Sequence, residues 1–295
     1  MAGQSSLEYT RQWLPGVPAE FLTLGNNGPK VRFIRAGQGP ALVLMHTVRT
    51  QLDIFQRVIP KLLNHFTVYA FDYPGFGWSE IVPKADYREP AFRRHVVQFV
   101  EQLGLRDLTL AGESMGATLA LTATPELGSR VRQVVAFNAY DYLPGLERAN
   151  LLASFIIKSV RAPIVGPIFA ALENRMILKG ILSGGVFNPK TLSADFIDEL
   201  DRVGKRRGYS KVARAVYKSL PSYVAGRALY KEGTVPVTMV YGNHDWSRRS
   251  ERDSAFAEIK GAKMITLPNT GHFSALESPD EFARILIETK SAFHP

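Results

Sequence analysis

Cysteine is absent from this chain of 295 residues. That excludes disulfides, thiolate zinc sites and a cysteine nucleophile, and is compatible with a reducing compartment. Apolar runs long enough to cross a bilayer are also lacking. The most apolar region, LLASFIIKSVRAPIVGPIFAAL at 151–172, is interrupted by Lys158, Arg161, Pro163 and Pro167, so contact with lipid or a lipid-like substrate stays open but a span is not expected. The first residues, MAGQSSLEYTRQWLPG, carry neither a basic leader nor a continuous apolar core. No secretory signal is expected there, and the default location is the cytoplasm. Repeats, low-complexity tracts and long linkers are missing. The six histidines show no H-E-x-x-H spacing or carboxylate cluster, so no metal is expected.

Acidic side chains are in deficit, 27 against 36 Lys and Arg, for a net charge of +9. The imbalance is local: between Asp141 and Glu232 stand 15 Lys or Arg and 8 Asp or Glu, so this third of the chain carries +7. A basic segment of this kind is a solvated surface, or it attracts an anionic substrate or an anionic membrane face. Nucleic-acid binding is not expected, because GKRRGYSKVAR holds a single aromatic, Tyr209, and no binding module accompanies it. The apolar content of 45% suffices for a large core, as one domain with an insertion or as two domains.

Short apolar or β-branched runs recur, each ended by turn residues: EFLTL, KVRFIRAG, ALVLMH, FTVYAFDYPG, LTLAGES, VRQVVAFNAY, VPVTMVYG and AKMITLPNTG. Several are almost continuously apolar, as strands covered on both faces are. Helical patterns lie between them, including LDIFQRVIPKLLNHF, REPAFRRHVVQFVEQLG, MGATLALTATPEL, RRSERDSAFAEIKG and PDEFARILIETKSAF. Alternation of this kind predicts an open, mostly parallel sheet with right-handed crossovers and, from the first two runs, an antiparallel start. It stops between 141 and 222, where PIFAALENRMILKGIL and SADFIDELDRVGKRRG read as helices, the second with Ser193 as N-cap. The expected organisation is a core of residues 1–140 and 223–295 with a helical lid at 141–222.

LTLAGESMGATLAL contains a G-x-S-x-G, Gly112 to Gly116, after a strand-like run and before a helix-like one. Glycines at those positions allow the sharp strand-to-helix turn that exposes the Ser114 hydroxyl, and the amides that follow, from Met115 onward, favour negative charge. Taken alone, the motif is also a Gly/Ser-rich connection. A serine hydroxyl needs a base, and the base needs a carboxylate to hold its tautomer. His272 in PNTGHFSALE and Asp245 in VYGNHDWS stand after later strand-like runs and supply both, in the chain order Ser, Asp, His.

At these residues the sequence resembles the α/β-hydrolase superfamily, in its cap-bearing serine-hydrolase branch. The resemblance runs from VRFIRAG to the last helix and includes the MH strand end, FDYPGFGWS, the nucleophile elbow, YGNHD and NTGHF. It implies an eight-stranded sheet flanked by helices, a cap inserted after strand 6, and no cofactor. It also implies an ester, thioester or lactone of a hydrophobic, in one alternative anionic, acid as the small-molecule substrate. Asp141 in FNAYDYLPG is a rival acid, because some members place the carboxylate there; otherwise it is a cap or loop residue. His46 matches the structural histidine of the superfamily, His244 reads as structural, and His65 and His95 read as surface residues. The turn at 72–80, with Gly75 and Gly77, is structural in that family and lacks the helix N-terminus that a phosphate cradle needs.

The resemblance assigns the oxyanion hole to the Met115 amide and to an amide after His46, with Val48 the best match. Where the family usually has glycine, this chain has Thr47, which tolerates positive φ poorly. Arg49 has two readings: pairing with Asp53 at a helix start capped by Thr50, or binding a substrate carboxylate, with Thr47 beside it. Epoxide hydrolases and haloalkane dehalogenases of the superfamily carry a carboxylate at the elbow, so Ser114 argues against both. A carbon–carbon bond hydrolase of diketone acids and a non-catalytic small-molecule receptor are the remaining alternatives.

Overall fold

In the computed structural model, residue 14 and residues 16–291 are described. The leader question therefore lies outside the described residues. Each of the eight apolar runs forms a strand: β1 Glu20–Thr23, β2 Lys30–Gly37, β3 Ala41–Met45, β4 Thr67–Phe71, β5 Leu108–Glu113, β6 Val131–Phe137, β7 Val237–Gly242 and β8 Lys263–Leu267. They make one sheet in the order β1-β2-β4-β3-β5-β6-β7-β8. β1–β2 and β2–β4 pair antiparallel and the other pairs are parallel. Every residue of β5 and β7 is buried, which is why those strands read as unbroken apolar runs rather than as an alternation. From β3 the chain steps outward to β4 and then returns past β3 to β5. The carboxyl ends of β3 and β5 therefore flank a topological switch point, where an open α/β sheet forms its crevice.

Helices α1 Ile59–Leu62, α2 Glu89–Gln102, α3 Met115–Leu127, α4 Leu151–Arg161, α5 Gly166–Ala171, α6 Arg175–Ser183, α7 Ala194–Gly204, α8 Tyr209–Gly226, α9 Arg249–Ala257, α10 Ser274–Glu277 and α11 Pro279–Ser291 complete the fold. No strand interrupts α4 to α8, and Ser193 caps α7 by accepting from the Phe196 amide, as expected. The sequence boundary at 222, however, falls inside α8. Pro221 removes one helical donor, but the Tyr217 carbonyl it would have served accepts from Arg161 Nε at 2.8 Å instead, so the helix continues. The single pattern read over 167–182 splits into α5 and α6 at Asn174, whose side chain accepts from the Met176 and Ile177 amides and starts a new helix.

The pattern read over 52–66 also breaks, into a 3-10 turn at Leu52–Phe55 and the short α1. Gln51, not Thr50, is the residue before that turn. The Leu52 amide is satisfied by Asp72 Oδ1 at 2.8 Å, while the Thr50 hydroxyl donates to the Thr47 carbonyl. Asp53 is likewise unavailable to Arg49, because Arg32 on β2 holds it at 2.7 Å and holds Asp72 at 2.7 Å as well, all three side chains buried. This knot joins β2, the loop after β3 and the turn after β4. Arg32→Met should therefore destabilise the chain by about 3–5 kcal/mol in urea unfolding, since two carboxylates would be left buried without their cation. A loss below about 1 kcal/mol would mean that water replaces the guanidinium.

Candidate active site

The strand-to-helix turn has the geometry that its glycines permit. Ser114 lies at φ +57° and ψ −116° as the residue before α3. A Cβ on Gly112 would stand 2.4 Å from the Gly116 backbone, and one on Gly116 would stand 2.1 Å from the Met45 carbonyl oxygen. The second contact matters most, because it seats the elbow directly against the end of β3 and so beside the loop that begins with His46.

His272 Nε2 lies 2.7 Å from Ser114 Oγ, and its Nδ1 is bonded to Asp245 Oδ1. Ser114 and His272 are buried, as is the Asp245 carboxylate. The other Asp245 oxygen accepts from the Ser247 amide at 3.0 Å and from the Ser247 hydroxyl. Burial by itself raises the Asp245 carboxyl, but His272 and Ser247 outweigh it and hold the pKa below the usual carboxylate range. The group is thus ionised and accepts only, which requires Nδ1–H and leaves a lone pair on Nε2 for the serine proton. Asp141 is placed elsewhere: it is buried in the loop after β6, where burial pushes its carboxyl up to about 7 against the pull of Arg227 and Tyr230. Neither ring nitrogen of His272 is bonded to it, and it caps no helix.

Three side chains that hold this arrangement escaped the reading of the sequence. Asn138, at φ +48° just past β6, donates to the His272 carbonyl at 3.0 Å and to Ser274 Oγ at 2.7 Å, and accepts from the Gly242 amide at 2.8 Å. It joins β6, the end of β7 and the loop carrying the base; its only signal was a polar residue ending an apolar run. Trp246 stacks on the His272 ring, with centroids 3.7 Å apart and planes 16° from parallel, while its Nε1 donates to the Gly184 carbonyl. Its place next to the acid was the available hint. The His272 amide in turn donates to the Gly185 carbonyl at 2.7 Å, so the turn after α6 is fastened to the base on two sides.

Glu113, the variable residue of the motif, is the third. It is buried, and its Oε1 accepts from the Ala275 amide at 3.0 Å. Burial raises its pKa to about 8 despite the amides of Ala275 and Ser274. An unfolded glutamate releases its proton at ~4.3. Between those values the native chain binds more protons than the unfolded chain, so this group's contribution to stability falls as pH rises through the window and is level above it. Glu113→Gln keeps an oxygen for the Ala275 amide and cannot ionise. Its thermal midpoint should fall less steeply between pH 5 and 8 than that of the wild type; parallel curves would remove Glu113 as a cause.

In the loop after β3, Arg49 has the positive φ, +61°, and Thr47 does not. The missing glycine is therefore tolerated because the left-handed residue lies two positions later. Arg49 is buried; it donates to Tyr209 Oη at 3.0 Å, pairs with Glu173 and lies 4.7 Å from the centre of the Tyr209 ring. Its partner is thus in the inserted helical segment, not at Asp53. The Thr47 hydroxyl is buried without a hydrogen-bond partner among the described residues, and the Met115 and Val48 amides, among those same residues, donate to no protein acceptor. His46 is neutral: burial lowers its pKa to about 4, its Nε2 accepts from the Tyr73 amide, and its Nδ1 faces the Thr47 carbonyl. The turn after β4 is held by Asp72, which accepts from the Trp78 amide and leaves no room for a Cβ at Gly77. His244 is exposed and stacks on Phe187, whereas His65 and His95 are half-buried rather than surface residues. The His95 ring stands edge to face with Phe92 at 5.8 Å, and burial lowers its pKa to about 4.

The family model described as the alpha/beta hydrolase fold matches residues 40–159. Haloalkane dehalogenase 2 of Mycobacterium tuberculosis is 24% identical over 92% of this chain and 95% of its own. Among solved structures, Cfl2 from Burkholderia cenocepacia aligns over 93% of this chain and 96% of its own, with a TM-score of 0.81 and 22% identity. The meta-cleavage product hydrolase from Pseudomonas fluorescens IP01 aligns over 90% and 95%, with a TM-score of 0.75 and 14% identity. The sheet order, the elbow at Ser114 and these matches lead to one assignment: the chain has the α/β-hydrolase fold.

Proposed function

We propose that the chain is a serine hydrolase that cleaves an ester, thioester or lactone of a hydrophobic carboxylic acid through an acyl-enzyme on Ser114. The observation that carries this reading is the continuous relay from Ser114 Oγ through His272 to Asp245 at a buried elbow. Ser114 attacks the carbonyl carbon while His272 Nε2 takes its proton. The oxyanion is held by the Met115 and Val48 amides, each such donor being worth about 3 kcal/mol. His272 then gives the proton to the leaving group, and water releases the acid by the reverse path. The face of Trp246 lies against the imidazolium that forms, a cation–π arrangement that favours the charged ring. The helical segment acts as a cap: it reaches the site through Gly184 and Gly185 at the base and through Glu173 at Arg49.

The dehalogenase name of the M. tuberculosis relative does not transfer. Displacement of halide by a serine hydroxyl would leave an ether, which water cannot cleave as it cleaves the ester formed by a carboxylate nucleophile. Carbon–carbon hydrolysis of diketone acids is the second reading, favoured by one observation: a buried arginine on the oxyanion loop. A substrate carboxylate would there exchange with Glu173 on Arg49. A fluorophosphonate probe should label the wild-type chain on Ser114 and leave Ser114→Ala unlabelled. Folded wild-type protein that resists labelling would instead favour a receptor with a hydrolase-like pocket. Chromogenic esters set against a meta-cleavage diketone then separate the two enzymatic readings.

A further inference from the structure

Isolated apolar side chains on a surface need no explanation, but those of this chain are not isolated. Of the 11 large hydrophobic side chains exposed among the described residues, all but Phe21 lie between Leu143 and Phe187. Helix α4 buries Ala153, Ile156, Ile157 and Val160 on its inner stripe, yet its outer side presents Leu151, 90% exposed, and Phe155, 58% exposed. On α5 and the turn before it, Ile164 and Ile168 are 88% and 61% exposed, and Met176 in the first turn of α6 is 81% exposed. These helices form one surface. The rings of Phe155 and Phe169 meet edge to face at 5.8 Å across α4 and α5, and Leu152 of α4 lies against Gly180 of α6. A helix that is apolar on both sides is buried on both sides, and here only one side is covered.

The charge around this face is mostly of one sign, the exposed Asp198 reaching it as the partner of Arg175. Between residues 148 and 194 the sole acid is Glu173, and it is turned inward onto Arg49. Lys158 and Lys179 are exposed on α4 and α6, and no ion pair among the described residues involves them. Beyond Pro167 the basic rim continues into a groove of about 730 Å³ lined in part by Lys211, Arg214 and Lys218. A second copy of the chain is a poor cover: a twofold contact would set this lysine-bearing patch against the same patch of another molecule of net charge +9. A surface of negative charge with an apolar interior beneath it complements the face in both respects.

We propose that the outer face of α4, α5 and the first turn of α6 docks on an anionic lipid bilayer. The apolar side chains enter the interface and Lys158 and Lys179 meet the headgroups. Contact is by insertion of side chains, since no described helix is long and apolar enough to cross a membrane. The inference does not depend on the chemistry at Ser114.

Co-sedimentation of the full chain with vesicles tests it. Vesicles containing phosphatidylglycerol should carry the protein down, pure phosphatidylcholine vesicles should not, and binding should weaken as salt rises. Lys158→Glu with Lys179→Glu should lower the partition coefficient by roughly fivefold per lysine charge removed. Ile164→Ser with Ile168→Ser should abolish sedimentation while leaving the thermal midpoint and the fluorophosphonate reactivity unchanged, because both side chains are exposed. If the serine variant fails to fold, the lysine variant and the salt series still decide. Absence of binding to phosphatidylglycerol vesicles, or binding that ignores all four substitutions, overturns the proposal. So does a dimer in light scattering that the serine variant converts to monomer, which would assign the face to a second copy.

Discussion

Ser114→Ala should lower kcat for any ester that the wild-type chain turns over by about a millionfold, with the thermal midpoint preserved. The loss is that large because no neighbour can replace the hydroxyl. His272 Nε2 has Ser114 Oγ as its partner at 2.7 Å, and alanine leaves it facing methyl. Residual turnover of about 10³–10⁴ over water should survive from the oxyanion amides and binding. Ser114→Gly separates chemistry from strain. It removes the same nucleophile, but it also relieves a side chain held at φ +57°, so it should be as inactive as the alanine variant and more stable by about 1 kcal/mol. If either variant retains more than about a hundredth of wild-type activity, the nucleophile is elsewhere or a water is activated directly.

Asp245→Asn is expected to cost about 10⁴ in kcat. The reason lies in what surrounds the carboxylate. One oxygen takes the His272 Nδ1 bond and the other accepts from the Ser247 amide and hydroxyl. An asparagine must put its NH₂ on one side or the other. Turned toward Ser247 it meets a backbone N–H, donor against donor. Turned toward His272 it donates to Nδ1, which moves the ring proton to Nε2 and removes the lone pair that Ser114 needs. Asp141→Asn is the control. That side chain bonds neither ring nitrogen of His272, so its kcat should stay within about threefold of wild type, whatever stability the buried substitution costs. A loss in Asp141→Asn equal to that in Asp245→Asn would return the acid to the loop after β6.

The residues of the relay were legible because each stands where an apolar run stops. β5 and β7 are buried strands and β8 is the partly exposed edge strand; they end at Glu113, Gly242 and Leu267, and the short motifs beyond them keep their chemistry within a few residues. Eight strands, the antiparallel start and the helix-only stretch between β6 and β7 followed from period and punctuation, which are local properties. Helix boundaries did not. Gln51 rather than Thr50 precedes the first turn because the capping acceptor comes from Asp72, 20 residues on, and α8 survives Pro221 because Arg161 takes the freed carbonyl.

The sequence by itself therefore determined the class of fold, the serine at the elbow and the strand ends that carry Asp245 and His272. Only the tertiary structure decided who pairs with whom. Arg49 was read against Asp53, four residues away, but Asp53 was already held by Arg32 from a strand on the other side of the chain's path, and Arg49 found Glu173 across the interface with the helical segment. Asn138, Glu113 and Trp246 were invisible as a group for the same reason. Their roles are bonds and a stacking contact between elements far apart in the chain, formed where β6, β7 and the base loop converge. Periodicity reports which face of an element is buried; it carries no information about what the buried charge or amide will meet there.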